Sequence, residues 1–241
     1  MSFERPWKPP ANFRLMAVVW FCLASLALTD KEPPEDGSLL NLVLSSLALH
    51  GPILLAVGIF LKGSGITWNR AFGFSTPPVG RALLLGLIAT IVFLPVGLVL
   101  QDLSIKLLTW WHFSTPTQTA VEQFTKSPAV INRAYLAFFA IVIAPFAEEV
   151  FFRGVVYAFL KKIGHPAIGM WLSAIVFAAI HFNPPIFLPL LVMGLLLAWL
   201  YKKTNNLLAP ITAHSVFNTI NVILILYGDN LNRFYEQRFH H

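Results

Sequence analysis

Long runs of apolar residues, broken by short polar intervals, dominate the chain. Read between charged or proline-rich boundaries, they fall roughly at 13–29, 39–61, 82–108, 134–160, 167–182, 186–201 and 207–227. A helix needs about 20 apolar residues to cross a hydrocarbon core about 30 Å thick, so these runs predict membrane-spanning helices. The third run is long enough to be two pieces, because Pro95 and Gly97 sit at its centre and Asp102 with Lys106 interrupts its second half. A spanning helix followed by an amphipathic helix in the interface accounts for that pattern. The expected fold is all-α, a polytopic transmembrane bundle of seven or eight helices forming a single membrane domain over 1–241.

Composition supports the lipid-solvated reading. Charged residues make up 12% of the chain and hydrophobic residues 56%, against about a quarter charged in an ordinary soluble domain. The formal charge of +6 is scattered singly or in pairs at the ends of apolar runs, which fits orientation in a bilayer and argues against nucleic acid as a partner. Arg5, Lys8 and Arg14, then Lys62, Arg70 and Arg81, then Lys161, Lys162, Lys202 and Lys203 all fall on one side, whereas the loop 30–38 is acidic. The positive-inside rule makes the cation-rich side, and with it the N-terminus, cytoplasmic, and the plasma membrane is the expected location. The lone cysteine, Cys22, allows no intrachain disulfide and no cysteine-held structural zinc. The first run has no small-residue cleavage site after it and reads as a retained helix.

Ionisable groups inside apolar runs are costly unless they face a partner or water, so the few that survive there point to function. Glu148, Glu149 and Arg153 lie within the run 134–160, and two later runs bring His181 and His214, the latter followed by Asn218. At about 100° per residue, Arg153 lies about 40° from Glu149 and about 140° from Glu148, so Glu149 and Arg153 are natural i,i+4 partners. Glu148 is left without that arginine. His214 and Asn218 share a helix face by the same spacing. Singly, each has a plain structural explanation: a Glu–Arg clasp, a packing histidine, an asparagine bonding between helices. Six such residues on three late runs, in a motif-bearing core of about 134–227, point instead to one shared polar site.

The pattern Glu148-Glu149-x-x-x-Arg153, Phe177-x-x-x-His181, His214-x-x-x-Asn218 resembles the three motifs of the CAAX-protease and bacteriocin-processing family, the Rce1-like intramembrane glutamic endopeptidases. The resemblance covers about 148–218, and the motif residues show no departure from it. It implies a helical bundle with a polar intramembrane cavity and hydrolysis of a peptide bond in a membrane-associated substrate, either prenylated or exported, without a cofactor. Carried over, Glu148 with His181 activates a water, and His214 with Asn218 forms the oxyanion hole. Glu149 and Arg153 hold the site in shape, and Phe177 packs beneath His181. Each role has a chemical reason, since water needs a base to become a nucleophile and a tetrahedral oxyanion needs donors aimed at it.

Three rival classes remain open on the sequence. Glu148, His181 and His214 make a Glu/His/His set of the kind catalytic zinc uses, although the usual His-Glu-x-x-His helix is absent. A membrane scaffold or immunity-type protein would use the same cluster to tie helices or grip a peptide without cleaving it. A transporter would use the Glu and His residues as proton relays, but no inverted repeat supports that class. The depths of the two motif histidines also disagree: counted along their runs, His214 lies about 10 Å from the cytoplasmic end and His181 about 20 Å from the start of its own.

Overall fold

In the computed structural model the described residues are 38–239, apart from 77 and 128. The run predicted at 13–29, Cys22, the acidic loop and the N-terminal orientation therefore lie outside the described residues. Within them the chain is all helix and turn: α1 (Leu39–Gly63), α2 (Trp68–Phe72), α3 (Val79–Trp110), α4 (Thr119–Lys126), α5 (Val130–Lys162), α6 (Pro166–Ala179), α7 (Pro184–Thr204) and α8 (Leu208–Phe239). Four of these, α3, α5, α7 and α8 up to Tyr227, are long and apolar enough to cross a membrane, and bent α1 makes a fifth. The protein is an integral membrane protein.

Two expectations change. The run 82–108 is one continuous helix rather than two, because α3 is about 48 Å long at 1.5 Å per residue and so outreaches the hydrocarbon core without breaking. Asp102 and Lys106, both largely exposed, pair at 2.6 Å along this helix where it extends toward Trp110. The run 167–182 is not a full span. Helix α6 has 14 residues, about 21 Å, and ends at Ala179, ahead of Phe182 at φ 46° and the Asn183-Pro184-Pro185 sequence that starts α7.

Helix α7 is the most buried of the long helices and the hub against which α3, α5, α6 and α8 pack. Gly194 lets α6 approach α7 closely, since a Cβ there would stand 2.9 Å from the Ala174 backbone of α6. One apolar cluster surrounds Phe72, Tyr157, Tyr201 and Leu207, and a second holds Ile53, Phe151, Phe152 and Phe177. Leu, Ile and Val side chains along α3 point outward, as lipid-facing residues must. A cleft lined by Thr76, Arg81, Lys203 and Asn206 brings the cations at the start of α3 and the end of α7 to one end of the bundle, in keeping with a single cation-rich side.

Helix α5 is irregular where it matters. It contains two π-helical stretches, Phe139–Ile143 and Val150–Tyr157, with the Glu148–Glu149 pair in the α-helical turn between them. Such stretches are rare and recur at functional sites. Their cause is partly legible. Ala144 donates to the Phe139 carbonyl in the i→i−5 register, and the next donor in that register is absent because residue 145 is a proline. The Ala140 carbonyl needs a donor from elsewhere.

Candidate active site

The donor comes from α8. Asn218 Nδ2 donates to the Ala140 carbonyl at 2.7 Å, so the asparagine caps the gap that Pro145 leaves. One turn earlier on α8, His214 is buried at 4% exposure and spans the two neighbouring carboxylates of α5. Its Nδ1 donates to Glu149 Oε1 at 3.1 Å, and its Nε2 lies 3.8 Å from Glu148 Oε2.

The two glutamates occupy different environments although they are adjacent. Glu149 is completely buried, and its Oε1 accepts from Arg153 Nη1 at 2.6 Å as well as from His214. Arg153, equally buried, donates through Nη2 to the Gly194 carbonyl of α7 at 2.9 Å and lies over the Phe177 ring at 4.8 Å. A carboxylate held by a guanidinium and an imidazole has its charge balanced and its geometry fixed. Glu148 has no arginine. Its Oε1 is 3.5 Å from His50 Nε2, its Oε2 is buried without a hydrogen-bond partner, and His50, His181 and His214 all lie within electrostatic reach of it.

His181 sits in the turn that follows α6. Its Nδ1 faces the Phe177 carbonyl at 2.7 Å, and because a carbonyl only accepts, Nδ1 carries the proton and Nε2 keeps a lone pair. A single buried ring, Phe177, meets His181 at 5.1 Å and His214 at 5.5 Å between centroids, so the two imidazoles flank one side chain. The count that set their depths apart took 167–182 for a full span, whereas α6 ends at Ala179.

The structure thus brings Glu148, Glu149, Arg153, His181 and His214 around one point, with Asn218 one turn along α8 on the α5 carbonyl. It also adds a residue that the sequence reading passed over. His50 of α1 is 5% exposed and packs edge-on to Phe139 at 4.9 Å. The signal was present, an ionisable group inside the run 39–61, but it carries no motif around it. Among the described residues no three His, Cys, Asp or Glu side chains are grouped so as to hold a metal ion.

Comparison with known proteins agrees with the motifs. The model of the family described as type II CAAX prenyl endopeptidase Rce1-like matches residues 130–220. That stretch is similar to the Rce1-like family. It runs from the first residue of α5 into α8 and takes in all six motif residues, while His50 lies outside it. Two relatives come from Bacillus subtilis (strain 168). "Uncharacterized protein YpbD" is 33% identical over 90 residues, 36% of this chain and 43% of the relative, and "Putative membrane peptidase YdiL" is 29% identical over 85 residues, 35% of each. "UPF0177 protein YxdF" of Lactococcus lactis subsp. lactis (strain IL1403) is 28% identical over 78 residues, 32% of this chain and 42% of the relative. The chain therefore spans between 35% and 43% of the length of these curated relatives. No solved structure matches it.

Proposed function

We propose that this protein is an intramembrane endopeptidase of the glutamic type. The observation that carries the reading is the division of labour between adjacent carboxylates: Glu149, at zero exposure, is clasped through Oε1 by both Arg153 and His214, whereas Glu148 is 14% exposed, has no guanidinium bonded to it, and keeps an Oε2 that accepts nothing from the protein. That oxygen is the base. It takes a proton from a water, and His181, with its Nε2 lone pair, helps to hold that water. The resulting hydroxide attacks the peptide carbonyl carbon, and collapse of the tetrahedral intermediate breaks the C–N bond as the Glu148 proton passes to the leaving nitrogen. The second N–H of Asn218 is one oxyanion donor, and His214 Nε2 is the other in the imidazolium form, where Nδ1–H stays on Glu149 and Nε2 carries a proton as well.

The substrate class is a peptide segment reaching the site from the bilayer or its surface, either the end of a prenylated protein or an exported peptide, and nucleic acid plays no part. The protein sits in the plasma membrane with its cation-rich side and its N-terminus in the cytoplasm. No cofactor is required. The test is cleavage of a fluorogenic peptide library by the protein in detergent, with and without a zinc chelator. Cleavage that survives chelation is expected; cleavage abolished by chelation and restored by zinc would move the reading to a metal hydrolase.

A second reading is favoured by one observation. One N–H of the Asn218 amide is committed to the Ala140 carbonyl, as it would be in a purely structural asparagine. The two roles give different results. Asn218→Ala should lower turnover about 100-fold if one oxyanion donor is lost. The same variant should also lower stability by about 1–3 kcal/mol, because the Ala140 carbonyl loses its donor. A fall in melting temperature with unchanged kcat would leave Asn218 as a structural cap alone.

A further inference from the structure

His50 stands outside the Rce1-like stretch, on a helix that contributes no motif, yet it touches the residue read here as the base. Three features of α1 bring it there. The helix bends by 43° between Ala48 and His50, where Pro52 lacks the N–H that would reach the Ala48 carbonyl and its ring crowds that carbonyl. Below the bend, Ile53 enters the buried cluster of Phe151, Phe152 and Phe177, which fixes α1 against α5 and α6. The imidazole itself is wedged edge-on against Phe139, the first residue of the π-helical stretch before Pro145.

The ring's own hydrogen bonding indicates its state. Nε2 faces Glu148 Oε1 at 3.5 Å, and Nδ1 is buried with no hydrogen-bond partner. A neutral imidazole has one N–H to place. On Nδ1 it would be a buried donor without an acceptor, while Nε2 would turn a lone pair toward a carboxylate oxygen. On Nε2 it faces the carboxylate, and only a lone pair is left unmatched. The second tautomer is the cheaper arrangement.

The geometry points to His50 as a positioning residue for hydrolysis: its Nε2–H holds Glu148 Oε1 so that Oε2 is the oxygen presented to the water. This rests on the reading of Glu148 as the base. His50 gains and loses no proton in the step and need not touch substrate. It removes the freedom of a glutamate side chain to rotate its two oxygens among His50, His181 and His214, and fixing a reacting group in this way acts on turnover rather than on binding. His50 thereby makes α1 part of the site, although the motif residues come from α5, α8 and the turn after α6.

The experiment compares His50→Leu, His50→Gln and His50→Asn with wild type and with Glu148→Gln, measuring kcat, KM and melting temperature in detergent on one cleaved peptide. Glutamine can place an amide N–H near the position of Nε2, asparagine falls short of it, and leucine keeps bulk without a donor. His50→Leu and His50→Asn are expected to lose about 10-fold or more in kcat with KM within about twofold, and His50→Gln to recover most of that loss. A His50→Leu variant with wild-type kcat overturns the inference, as does equal loss in His50→Gln and His50→Asn, which marks a packing role against Phe139. If His50→Leu does not fold, the contrast between Gln and Asn decides alone. Full activity in Glu148→Gln overturns the base assignment itself, and this inference with it. Inactive Glu148→Gln beside fully active His50 variants removes only the role of His50.

Discussion

Glu148→Gln is expected to abolish peptide cleavage, with a loss of at least about 100-fold, while the protein remains folded and extractable in detergent. The substitution preserves shape and exchanges a carboxylate for an amide that cannot take a proton from water. Folding should be little disturbed because Glu148 is not part of the buried clasp. Its Oε1 has only the 3.5 Å contact with His50, and its Oε2 accepts nothing. The matched measurements are turnover on a cleaved peptide and a melting curve. Cleavage at the wild-type rate in a folded Glu148→Gln variant would sink the glutamate mechanism. A variant that is inactive only because it has melted would instead place Glu148 in the framework with Glu149.

Most of the bundle was legible because membrane helices announce themselves by length. The runs 39–61, 134–160 and 186–201 lie within α1, α5 and α7, and 207–227 lies within α8 but for its first residue. The run 167–182 misled because apolar content cannot distinguish a helix that crosses from one that ends inside the bundle. That outcome was decided by Phe182 in the left-handed region and by the prolines at 184 and 185. The two π-helical stretches were illegible for a related reason. Phe139–Ile143 is wholly apolar and Val150–Tyr157 carries one charged residue, Arg153, so no polar stripe records the change of register, and Pro145 alone marks the missing donor that Asn218 supplies.

The candidate site divides in the same way. Spacing was enough to pair Glu149 with Arg153, because i,i+4 contacts are local. Contacts between distant elements carried no such signal. Nothing along the chain says that His214 reaches both glutamates, that Arg153 finds the Gly194 carbonyl, or that the single Phe177 ring serves two histidines and the guanidinium. His50 is the sharpest case. A histidine alone in an apolar helix looks like packing until its ring is seen 3.5 Å from Glu148.

The buried clasp should be where stability resides. Glu149→Gln and Arg153→Leu are each expected to destabilise the protein by about 3–5 kcal/mol, since each strands its partner as an uncompensated charge at zero exposure. The consequences differ in detail. Glu149→Gln leaves the guanidinium with Gly194 and the Phe177 face alone, and it weakens the hold on His214 Nδ1. Arg153→Leu leaves a carboxylate facing His214 and a Gly194 carbonyl without its donor. Both variants should therefore lose activity along with stability, because His214 is positioned through Glu149. The combined variant separates a charge effect from a packing effect. With both charges gone, neither partner is stranded, and the double variant should be destabilised by clearly less than the sum of the singles. Melting temperatures of wild type, both singles and the double in one detergent read this directly. Singles that melt with wild type, or singles that simply add, would mean that Glu149 and Arg153 are not the clasp that sets the two carboxylates apart.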